Sequence, residues 1–406
     1  MNTSDTVQAF YEHYSYPPVP IATPPHFSAT ACYRLARYAQ SGFWPNDDLP
    51  RRALVGGCGN GHELHLVAAN SPECQEVIGV DLSRTAVATA QERLAYHKLE
   101  HCRVEWADLM QAETLPPGPF DFITSYGVLH HTADPAVALQ NLASRLAPDG
   151  VMALMIYNAS GRQIIYQFRQ VLSRLGLDQP DMVAPLLQAL QPNSQTYTHL
   201  RGNASYYQHP ENIADNFLHP QDLPFYVADI PPWLAEAGLC FLDMIPNGQY
   251  WCPEAFVSRS NTAFYGRYGQ LDRLAQLSLL ENLSPTTHTQ NIFWCSRSHG
   301  RTWAGTFPPY DPEDAWQLNP LVPQQVRLTA PGGVTLTATQ ADTLQPDLAY
   351  QLVWPLIPMP YHTMHLSGQQ LQALLSNRLE ALSARVCHAL AAQALIVRKD
   401  SEARLR

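Results

Sequence analysis

The sequence has few of the features that mark nucleic-acid-binding or membrane proteins. Only 15% of its 406 residues are charged, and 35 acidic against 25 basic residues give a net charge of −10. Lys and Arg are scattered without a run, whereas proteins that bind nucleic acid usually present a basic face or stripe. No stretch approaches the ~20 apolar residues needed to span a bilayer. The composition therefore argues against nucleic acid as a partner and predicts no membrane span.

Cysteine is present, but it is not arranged as a site. The eight cysteines are dispersed, and none forms a Cys-x-x-Cys pair. Cys and His show no zinc-ligand spacing, so no metal site is predicted. The first thirty residues also lack the basic and then apolar pattern of a secretion signal. These absences favour reduced, mostly buried thiols in a cytoplasmic protein.

The chain is longer than one typical domain, and its hydrophobic content of 46% suffices for a large core. Residues 1–41 are predicted to form a helical N-terminal segment rich in Tyr and Pro. Residues 42–298 are predicted to form the main domain, with a mostly helical insertion over 160–232. Residues 299–406 are expected to be a C-terminal α+β accessory domain, with a β-hairpin turn around 331–333 and an alanine-rich helix over about 367–396.

From Arg52 onward, short apolar runs alternate with amphipathic stretches. Continuous apolar runs such as 151–157 suit strands buried on both faces of a parallel sheet. The alternation predicts an α/β fold with a doubly wound, mostly parallel, seven-stranded sheet. The predicted strands are 53–56, 77–80, 103–106, 120–125, 151–157, 238–245 and 291–295, and the main helices are 62–69, 83–97 and 136–146.

A glycine loop, Gly57-Cys58-Gly59-Asn60-Gly61, joins the first strand to the first helix of this region. Glycine permits the unusual dihedrals of such a turn and lets a ligand approach the backbone. The helix that follows offers free N–H groups and a positive dipole end. The spacing is not the Gly-x-Gly-x-x-Gly of dehydrogenases, because His62 takes the last position, and the chain has no phosphate-binding P-loop motif.

Acidic residues follow the next two strands. Asp81 ends the second strand, where a carboxylate can accept hydrogen bonds from ribose hydroxyls or cap the next helix. Asp108-Leu109 follows the third strand, where an Asp also suits an ordinary turn. Each feature is weak alone, but together they occur in order at suitable spacing.

This ordered set resembles the motifs of class I S-adenosylmethionine-dependent methyltransferases. The loop from Gly57 to Gly61 is similar to motif I of that family, residues 120–131 to motif IV, and residues 146–151 to the turn before the fifth strand. The resemblance covers about 52–157, with a weaker match near 238–297. Many members carry an acid two positions before the first glycine, where this chain has Val55.

The resemblance implies that S-adenosyl-L-methionine is the cofactor and S-adenosyl-L-homocysteine the product. In that family the loop packs under the methionine part, the first acid binds ribose and the second meets adenine. The N-terminal tyrosines either cover the cofactor as a lid or pack the segment onto the core. The implied cofactor-binding residues are Gly57, Cys58, Gly59, Gly61, Asp81, Leu82, Asp108, Leu109, Ser125, Tyr126, Tyr11 and Tyr16.

Methyl transfer from a sulfonium is an in-line displacement, so the protein mainly aligns the nucleophile with the methyl group. A base is needed only when the acceptor must lose a proton. The candidates are His130, His131 and Tyr157, which follow the fourth and fifth strands where an acceptor should dock. A purely structural role for the two histidines is the competing interpretation.

The acceptor is predicted to be a small molecule or a protein side chain, and His209, His219 and Tyr226 of the insertion are candidates to line its pocket. Residues 125–128 lack the Asx/Ser-Pro-Pro-Tyr/Phe arrangement that holds amide and nucleobase nitrogens in this family. This absence argues against amide and nucleobase nitrogens as acceptors. The region 299–406 suits a large acceptor, with asparagine or other side-chain N-methylation as one alternative, or a homodimer contact. A non-catalytic cofactor-binding regulatory protein is the alternative of another class, and an oxidoreductase is disfavoured by the glycine spacing.

Overall fold

The structure is a computed structural model that describes most of the chain up to residue 297. The chain divides into two compact units. The first unit consists of residues 1–25, 50–241 and 281–301, and the second consists of residues 26–49, 242–280 and 302–406. The described residues are 3–24, 29–41, 50–69, 74–194, 196–198, 205–245, 251, 253, 256–258, 260–283, 285, 289–297, 312–313, 315–318, 328–329, 335–336, 350–352, 365–366, 373, 379–381 and 396–398.

A seven-stranded sheet organises the main domain and confirms the predicted fold class. Its strand order is β3-β2-β1-β4-β5-β7-β6. Strands β1 to β5 pair in parallel, and β7 runs antiparallel to β5. The strands are β1 Arg52–Gly56, β2 Glu76–Asp81, β3 Cys102–Trp106, β4 Phe120–Tyr126, β5 Leu146–Tyr157, β6 Leu239–Met244 and β7 Gln290–Arg297.

The strands form where the sequence offers apolar runs. In β1 every residue after Arg52 is buried, and β5 is buried except near Pro148 and Asp149 and at Met155. This burial on both faces matches the continuous apolar runs of a parallel sheet covered by helices. The order of the strands places the carboxyl ends of β1 and β4 side by side, which is where the switch in strand order opens a crevice for a ligand.

The helices begin and end at residues with clear local causes. Ser83 caps α4 by accepting a hydrogen bond from the Ala86 amide at 3.1 Å. Asp134 caps α5, which has Pro135 in its first turn. The helices are α1 Thr3–His13, α2 Ala29–Ser41, α3 His62–Ala69, α4 Arg84–Tyr96, α5 Pro135–Ser144, α6 Gln163–Leu175, α7 Pro180–Ala189, α8 Pro210–Ile213, α9 Ile230–Glu236, α10 Thr262–Tyr268 and α11 Arg273–Leu283.

The insertion after β5 has a small core of its own. α6 and α7 pack with the segment that begins at α8, and α8 continues into a π-helical turn, Ala214–Leu218. A π-turn of this kind often lies at a functional site. The shared buried residues are Ile165, Phe168, Leu172, Val183, Ile213 and Phe217. The insertion is therefore a packed element that can position side chains next to the sheet.

The flanking regions are described in part. α1 lies in the first compact unit and α2 in the second, so the segment 1–41 contributes to both. Beyond residue 297 the strands β9 and β10 pair antiparallel on either side of the predicted turn at 331–333, which itself lies outside the described residues. Most of the predicted helix at 367–396 also lies outside the described residues.

Among the described helices none has the length and apolarity for a membrane crossing. The strands here are β8 Trp316–Leu318, β9 Leu328–Thr329, β10 Thr335–Leu336, β11 Tyr350–Leu352, β12 His365–Leu366 and β13 Ile396–Arg398.

Candidate active site

The glycine loop turns the chain from β1 into α3 at the carboxyl end of the sheet. Gly57, Gly59 and Gly61 have φ values of +76°, +51° and +82°. The amides of Gly57 and Cys58 donate to the Val80 carbonyl at 2.8 and 2.9 Å. These bonds hold the first half of the loop against β2. The loop therefore has the left-handed conformations that favour glycine.

The N-terminal segment crosses the glycine loop. A Cβ on Gly59 would stand 2.6 Å from the Tyr16 carbonyl oxygen, and the Asn60 side-chain amide donates to the Pro17 carbonyl. Upstream, Glu12 accepts hydrogen bonds from the amides of Arg84 and Thr85 at 2.6 and 3.0 Å. A carboxylate at this helix N-terminus also suits the helix dipole. The segment thus lies where a lid over the loop would lie.

Arg93 joins the N-terminal segment to the loop. Its guanidinium is fully buried, and Nε donates to the Asn60 carbonyl at 3.0 Å. Nη2 donates to the Val19 carbonyl at 2.7 Å, and Nη1 to the carbonyls of Pro20 and Ile21 at 3.0 and 3.2 Å. Burial lowers the pKa of Arg93. The planar fork of an arginine fits these several carbonyls at once, which a lysine could not do.

Asp81 stands at the end of β2 with both carboxylate oxygens turned to backbone amides. Oδ2 accepts from Gly59 at 2.7 Å and Oδ1 from Ser83 at 2.9 Å. Ser83, not Asp81, is the capping residue of α4. Burial raises the pKa of Asp81, and the two amides oppose that shift. Because a carboxylate offers about four lone-pair positions, the side chain can still accept from a ligand.

Replacing Asp81 with Ala is expected to weaken S-adenosylmethionine binding by about 1.5–3 kcal/mol, the usual scale for hydrogen bonds to a charged group. The loss combines any ligand contact with the looser Gly59 amide. Isothermal calorimetry on the folded variant measures it. An affinity equal to that of the wild type would refute a role for this carboxylate in cofactor binding.

The other predicted cofactor residues surround the same edge of the sheet. Asp108 is buried, and its carboxylate accepts from the Met110 amide at 2.9 Å and the Gln111 side chain at 3.0 Å, as in an ordinary Asp turn. The Leu109 carbonyl accepts from Asn141. Ser125 is fully buried and donates to the Gly56 carbonyl at 2.8 Å. Their cofactor roles stay predictions.

Three further predicted residues lie close to the glycine loop. Cys58 is buried, and burial raises the pKa of its thiol well above the ordinary value. The Leu82 carbonyl accepts from the Trp106 indole at 2.8 Å. Tyr126 ends β4 next to Met155 of β5. The cofactor contacts predicted for these residues are likewise untested.

Glu63, in the first turn of α3, lies at the same edge of the sheet and carried no motif signal in the sequence. Its carboxyl lies against the Thr124 hydroxyl and the Tyr126 amide, which favour its ionised form. Burial outweighs both and raises the pKa of Glu63 to about 7. Oε1 has no hydrogen-bond partner within the described part of the chain. A buried carboxyl is therefore held at the carboxyl ends of β1 and β4.

Glu63→Gln is expected to stabilise the cofactor-free protein at pH 8 by up to about 3 kcal/mol, because a pKa unit is worth about 1.4 kcal/mol. The pKa of Glu63 in the folded protein lies near 7, above the ordinary 4.5. The protonated acid thus contributes stability that is complete below pH 4.5 and is lost as the pH rises through 7. Urea unfolding at pH 5 and pH 8 tests this, since the gain should fall below about 1 kcal/mol at pH 5. Glu92→Gln, an exposed acid on α4, is the control. A gain of equal size at both pH values would contradict the pKa of Glu63.

A cluster of tyrosines surrounds one carboxylate in the insertion. Asp215 is 1% exposed, and it accepts hydrogen bonds from the hydroxyls of Tyr11 and Tyr157 at 3.2 and 3.1 Å. The Tyr16 and Tyr206 hydroxyls lie 3.0 Å apart beside it. Burial and the Asp215 charge raise the pKa of Tyr11, Tyr16 and Tyr157 well above 10. The tyrosines therefore keep their protons and act as donors.

The arginines of the insertion are paired with a different acid. Arg162 and Arg169 lie 3.5 and 3.1 Å from the Asp222 carboxylate. Arg162 also donates to the Asn216 side chain at 3.1 Å, and its guanidinium lies 3.4 Å from the centre of the Tyr157 ring. Among the described residues no basic side chain hydrogen-bonds to Asp215 or forms an ion pair with it. Asp215 is thus a buried carboxylate without a cationic partner among the described residues.

The predicted catalytic histidines lie beside this cluster. The ring centroid of His130 is 3.9 Å from that of Tyr157, and the ring centroid of His131 is 3.9 Å from that of His219. Nδ1 of His131 is 2.7 Å from the Gln221 carbonyl. Burial lowers the pKa of both His130 and His131. The structure therefore brings His130, His131 and Tyr157 together, and it keeps both imidazoles neutral near pH 7.

Sequence reasoning found some of these residues and missed others. The insertion was expected to line the acceptor site with His209, His219 and Tyr226. Only His219 is buried there, whereas His209 and Tyr226 are exposed. Asp215 and Arg93 carried no motif signal. The sequence hints at the burial of Asp215 only because this acid directly follows the apolar residues Ile213 and Ala214.

Known proteins are similar to this chain in the region that contains the glycine loop and the first strands of the sheet. A family model described as a methyltransferase domain matches residues 54–152. An uncharacterised protein of Synechococcus sp. is 29% identical over 332 residues, which cover 78% of this chain and 76% of that protein. Trans-aconitate 2-methyltransferase of Methylobacterium radiotolerans is 35% identical over 109 residues, which cover 27% of this chain and 39% of that enzyme. The chain thus spans about two fifths of the length of this methyltransferase.

Solved structures extend the likeness to the fold. PKMT2 from Rickettsia typhi superposes with a TM-score of 0.62 at 14% identity, covering 93% of this chain and 77% of that one. The same protein in complex with AdoHcy gives a TM-score of 0.61 over 95% of this chain and 77% of that one. At this identity the similarity concerns architecture.

Proposed function

We propose that this chain, which carries a class I S-adenosylmethionine-dependent methyltransferase domain, methylates an amino nitrogen bound beside Asp215. The observation that carries the proposal is a buried carboxylate that accepts from two tyrosine hydroxyls and has no cationic partner among the described residues. Burying a charge without a counter-charge is costly. A cationic acceptor offsets that cost.

The proposed cofactor site lies between the glycine loop and the N-terminal segment. Gly57, Gly59 and Gly61 would let the methionine part approach the backbone, and Asp81 would accept from ribose. Asp108 and Leu109 would meet adenine, on the pattern of the resemblance. A Cβ at Gly59 would collide with the Tyr16 carbonyl, so this glycine lets the N-terminal segment pack directly on the loop. The bound cofactor supplies an electrophilic methyl group on a sulfonium that leaves as a neutral thioether.

Asp215 would act on the charge that forms at the acceptor. The bound ammonium must first lose a proton to solvent, because only the neutral amine has a lone pair. When that amine takes up the methyl group, its nitrogen becomes positively charged again. A fixed carboxylate next to that nitrogen stabilises the transition state more than the neutral ground state. Tyr11 and Tyr157 would hold Asp215 in place by their hydroxyl donors. The proposed role of Tyr157 is therefore to position Asp215, and the neutral His130 and His131 would pack against it.

The negative charge of Asp215 also favours amine acceptors over acceptors that carry carboxylates. The carboxylates of trans-aconitate would meet Asp215 as like charges, whereas both arginines nearby are already paired with Asp222. An amine is attracted to the same place. A lysine side chain of a protein and a small alkylamine share this chemistry, and both fit the predicted range of acceptors.

The test measures S-adenosylhomocysteine formation by the full chain with S-adenosylmethionine and four acceptors. The acceptors are a lysine peptide, its norleucine counterpart, a small alkylamine and trans-aconitate. Turnover is expected only with an amine, and it should rise between pH 7 and 9 as more of the amine loses its proton. Turnover with trans-aconitate and with neither amine would refute the proposal. Methyl transfer to the lysine peptide but not to the alkylamine would assign a polypeptide acceptor.

A further inference from the structure

We infer that Glu63 is a cofactor-recognition residue whose carboxylate binds the α-ammonium group of the methionine part of S-adenosylmethionine. The inference rests on the cofactor and not on the proposed amine acceptor. Glu63 is two residues past the last glycine of the loop, and α3 turns it back toward the sheet. Its carboxyl thus reaches the carboxyl end of β4 from the first turn of α3.

The position of the carboxyl follows from its neighbours. Glu63 lies against the Thr124 side chain and the Tyr126 amide, in the last residues of β4. Thr124 pairs in register with Val55 of β1, so these two side chains share one face of the sheet. Val55 stands two residues before the first glycine of the loop. The carboxyl of Glu63 therefore occupies the junction of β1, β4 and the glycine loop.

The polar atoms at this junction are under-satisfied. Oε1 of Glu63 is buried and has no hydrogen-bond partner within the described residues, while the Thr124 hydroxyl lies against the same carboxyl. Buried polar atoms normally have partners, so an unsatisfied carboxylate oxygen next to a ligand-binding loop points to a ligand group. An ammonium has three donors and a positive charge, and it satisfies the carboxylate and hydroxyl oxygens together.

The charge balance selects the ammonium and not the carboxylate of the amino-acid part. An acid at the junction repels a carboxylate and attracts an ammonium. The free amides of a helix N-terminus serve the carboxylate instead, and α3 starts at His62 next to Gly61. Glu63 would thus distinguish the two ends of a zwitterionic amino acid.

The experiment compares two ligands by calorimetry on the full chain. One is S-adenosylhomocysteine, and the other is its deamino analogue, in which hydrogen replaces the α-amino group. Wild-type protein is expected to bind S-adenosylhomocysteine at least 10-fold more tightly, on the order of a charge-assisted hydrogen bond. Glu63→Gln should weaken S-adenosylhomocysteine binding by a similar factor and leave the deamino analogue unchanged. Glu92→Gln should behave as wild type.

The wild-type affinities alone can overturn the inference. If the wild type binds the two ligands equally, Glu63 does not recognise the ammonium, so the inference stays testable even when Glu63→Gln does not fold. A Glu63→Gln protein that keeps the full preference would overturn it as well. Binding of neither ligand by the wild type would overturn the cofactor assignment itself. Amine methylation that fails while the ligand preference holds would refute only the proposed acceptor.

Discussion

Replacing Asp215 with Asn is expected to lower kcat/KM for an amine acceptor by about 10²- to 10³-fold, since losing one member of a buried charge pair costs about 2–5 kcal/mol. Asn keeps the shape of the side chain, but its single carbonyl oxygen replaces only one of the two carboxylate oxygens that accept from Tyr11 and Tyr157. It removes the negative charge that stabilises the nitrogen in the transition state. Initial rates of S-adenosylhomocysteine formation measure the effect, with calorimetry on the same preparation for cofactor affinity.

The control for this prediction is an acid of the same insertion that is far less buried. Asp181 is exposed in the first turn of α7, and Asp181→Asn should leave both the rate and the cofactor affinity unchanged. A folded Asp215→Asn protein with wild-type turnover would show that the carboxylate has only a structural role. Loss of cofactor binding in that variant would move Asp215 from the acceptor site to the cofactor site.

Replacing Gly59 with Ala is expected to weaken S-adenosylmethionine binding by about 10- to 100-fold. Two penalties add at this position. The backbone has φ +51°, which costs a residue with a side chain about 1–2 kcal/mol. The new Cβ would also stand 2.6 Å from the Tyr16 carbonyl oxygen, so the N-terminal segment must move away. Calorimetric titration with S-adenosylmethionine measures the loss.

Gly176 lies outside the loop and is the control for the backbone penalty alone, which is measured as a loss of free energy of unfolding. It has φ +66° after α6, and a Cβ there would meet nothing within 4 Å. Gly176→Ala therefore carries the backbone penalty without the collision, and its cofactor affinity should equal that of the wild type. Equal affinities for all three proteins would mean that the close approach of Tyr16 to the loop is not needed for binding.

The framework of the fold was predictable because each strand carries its own signal. Apolar runs such as 151–157 specify buried strands locally, and the glycine loop marks the first strand-to-helix turn. Strand boundaries were less predictable where their cause is not local. β5 begins at Leu146, earlier than predicted, because residues 146–150 join the sheet across a register shift between Phe120 and Phe122.

The positions of candidate site residues were predictable only for residues at the ends of strands. Asp81, Asp108 and Tyr157 lie at or just after the ends of strands, so their approximate place follows from the topology. Asp215 reaches Tyr11, 204 residues away in the chain, through the packing of the insertion. No periodicity or motif encodes that contact. Glu63 was hidden for a different reason, since an acid in the first turn of a helix looks like an ordinary dipole partner.

In the proposed cofactor site, the buried guanidinium of Arg93 would make the N-terminal segment and the cofactor two ligands of one loop. It contacts the Asn60 carbonyl on one side and the carbonyls of residues 19–21 on the other. By thermodynamic reciprocity, the free energy that a bound cofactor gains from an ordered segment equals the free energy by which the cofactor orders that segment. For a cofactor bound as proposed, the residence time of the product would depend on how often the Arg93 guanidinium breaks its bonds to these carbonyls. Turnover would then follow the opening of the segment as well as the methyl transfer.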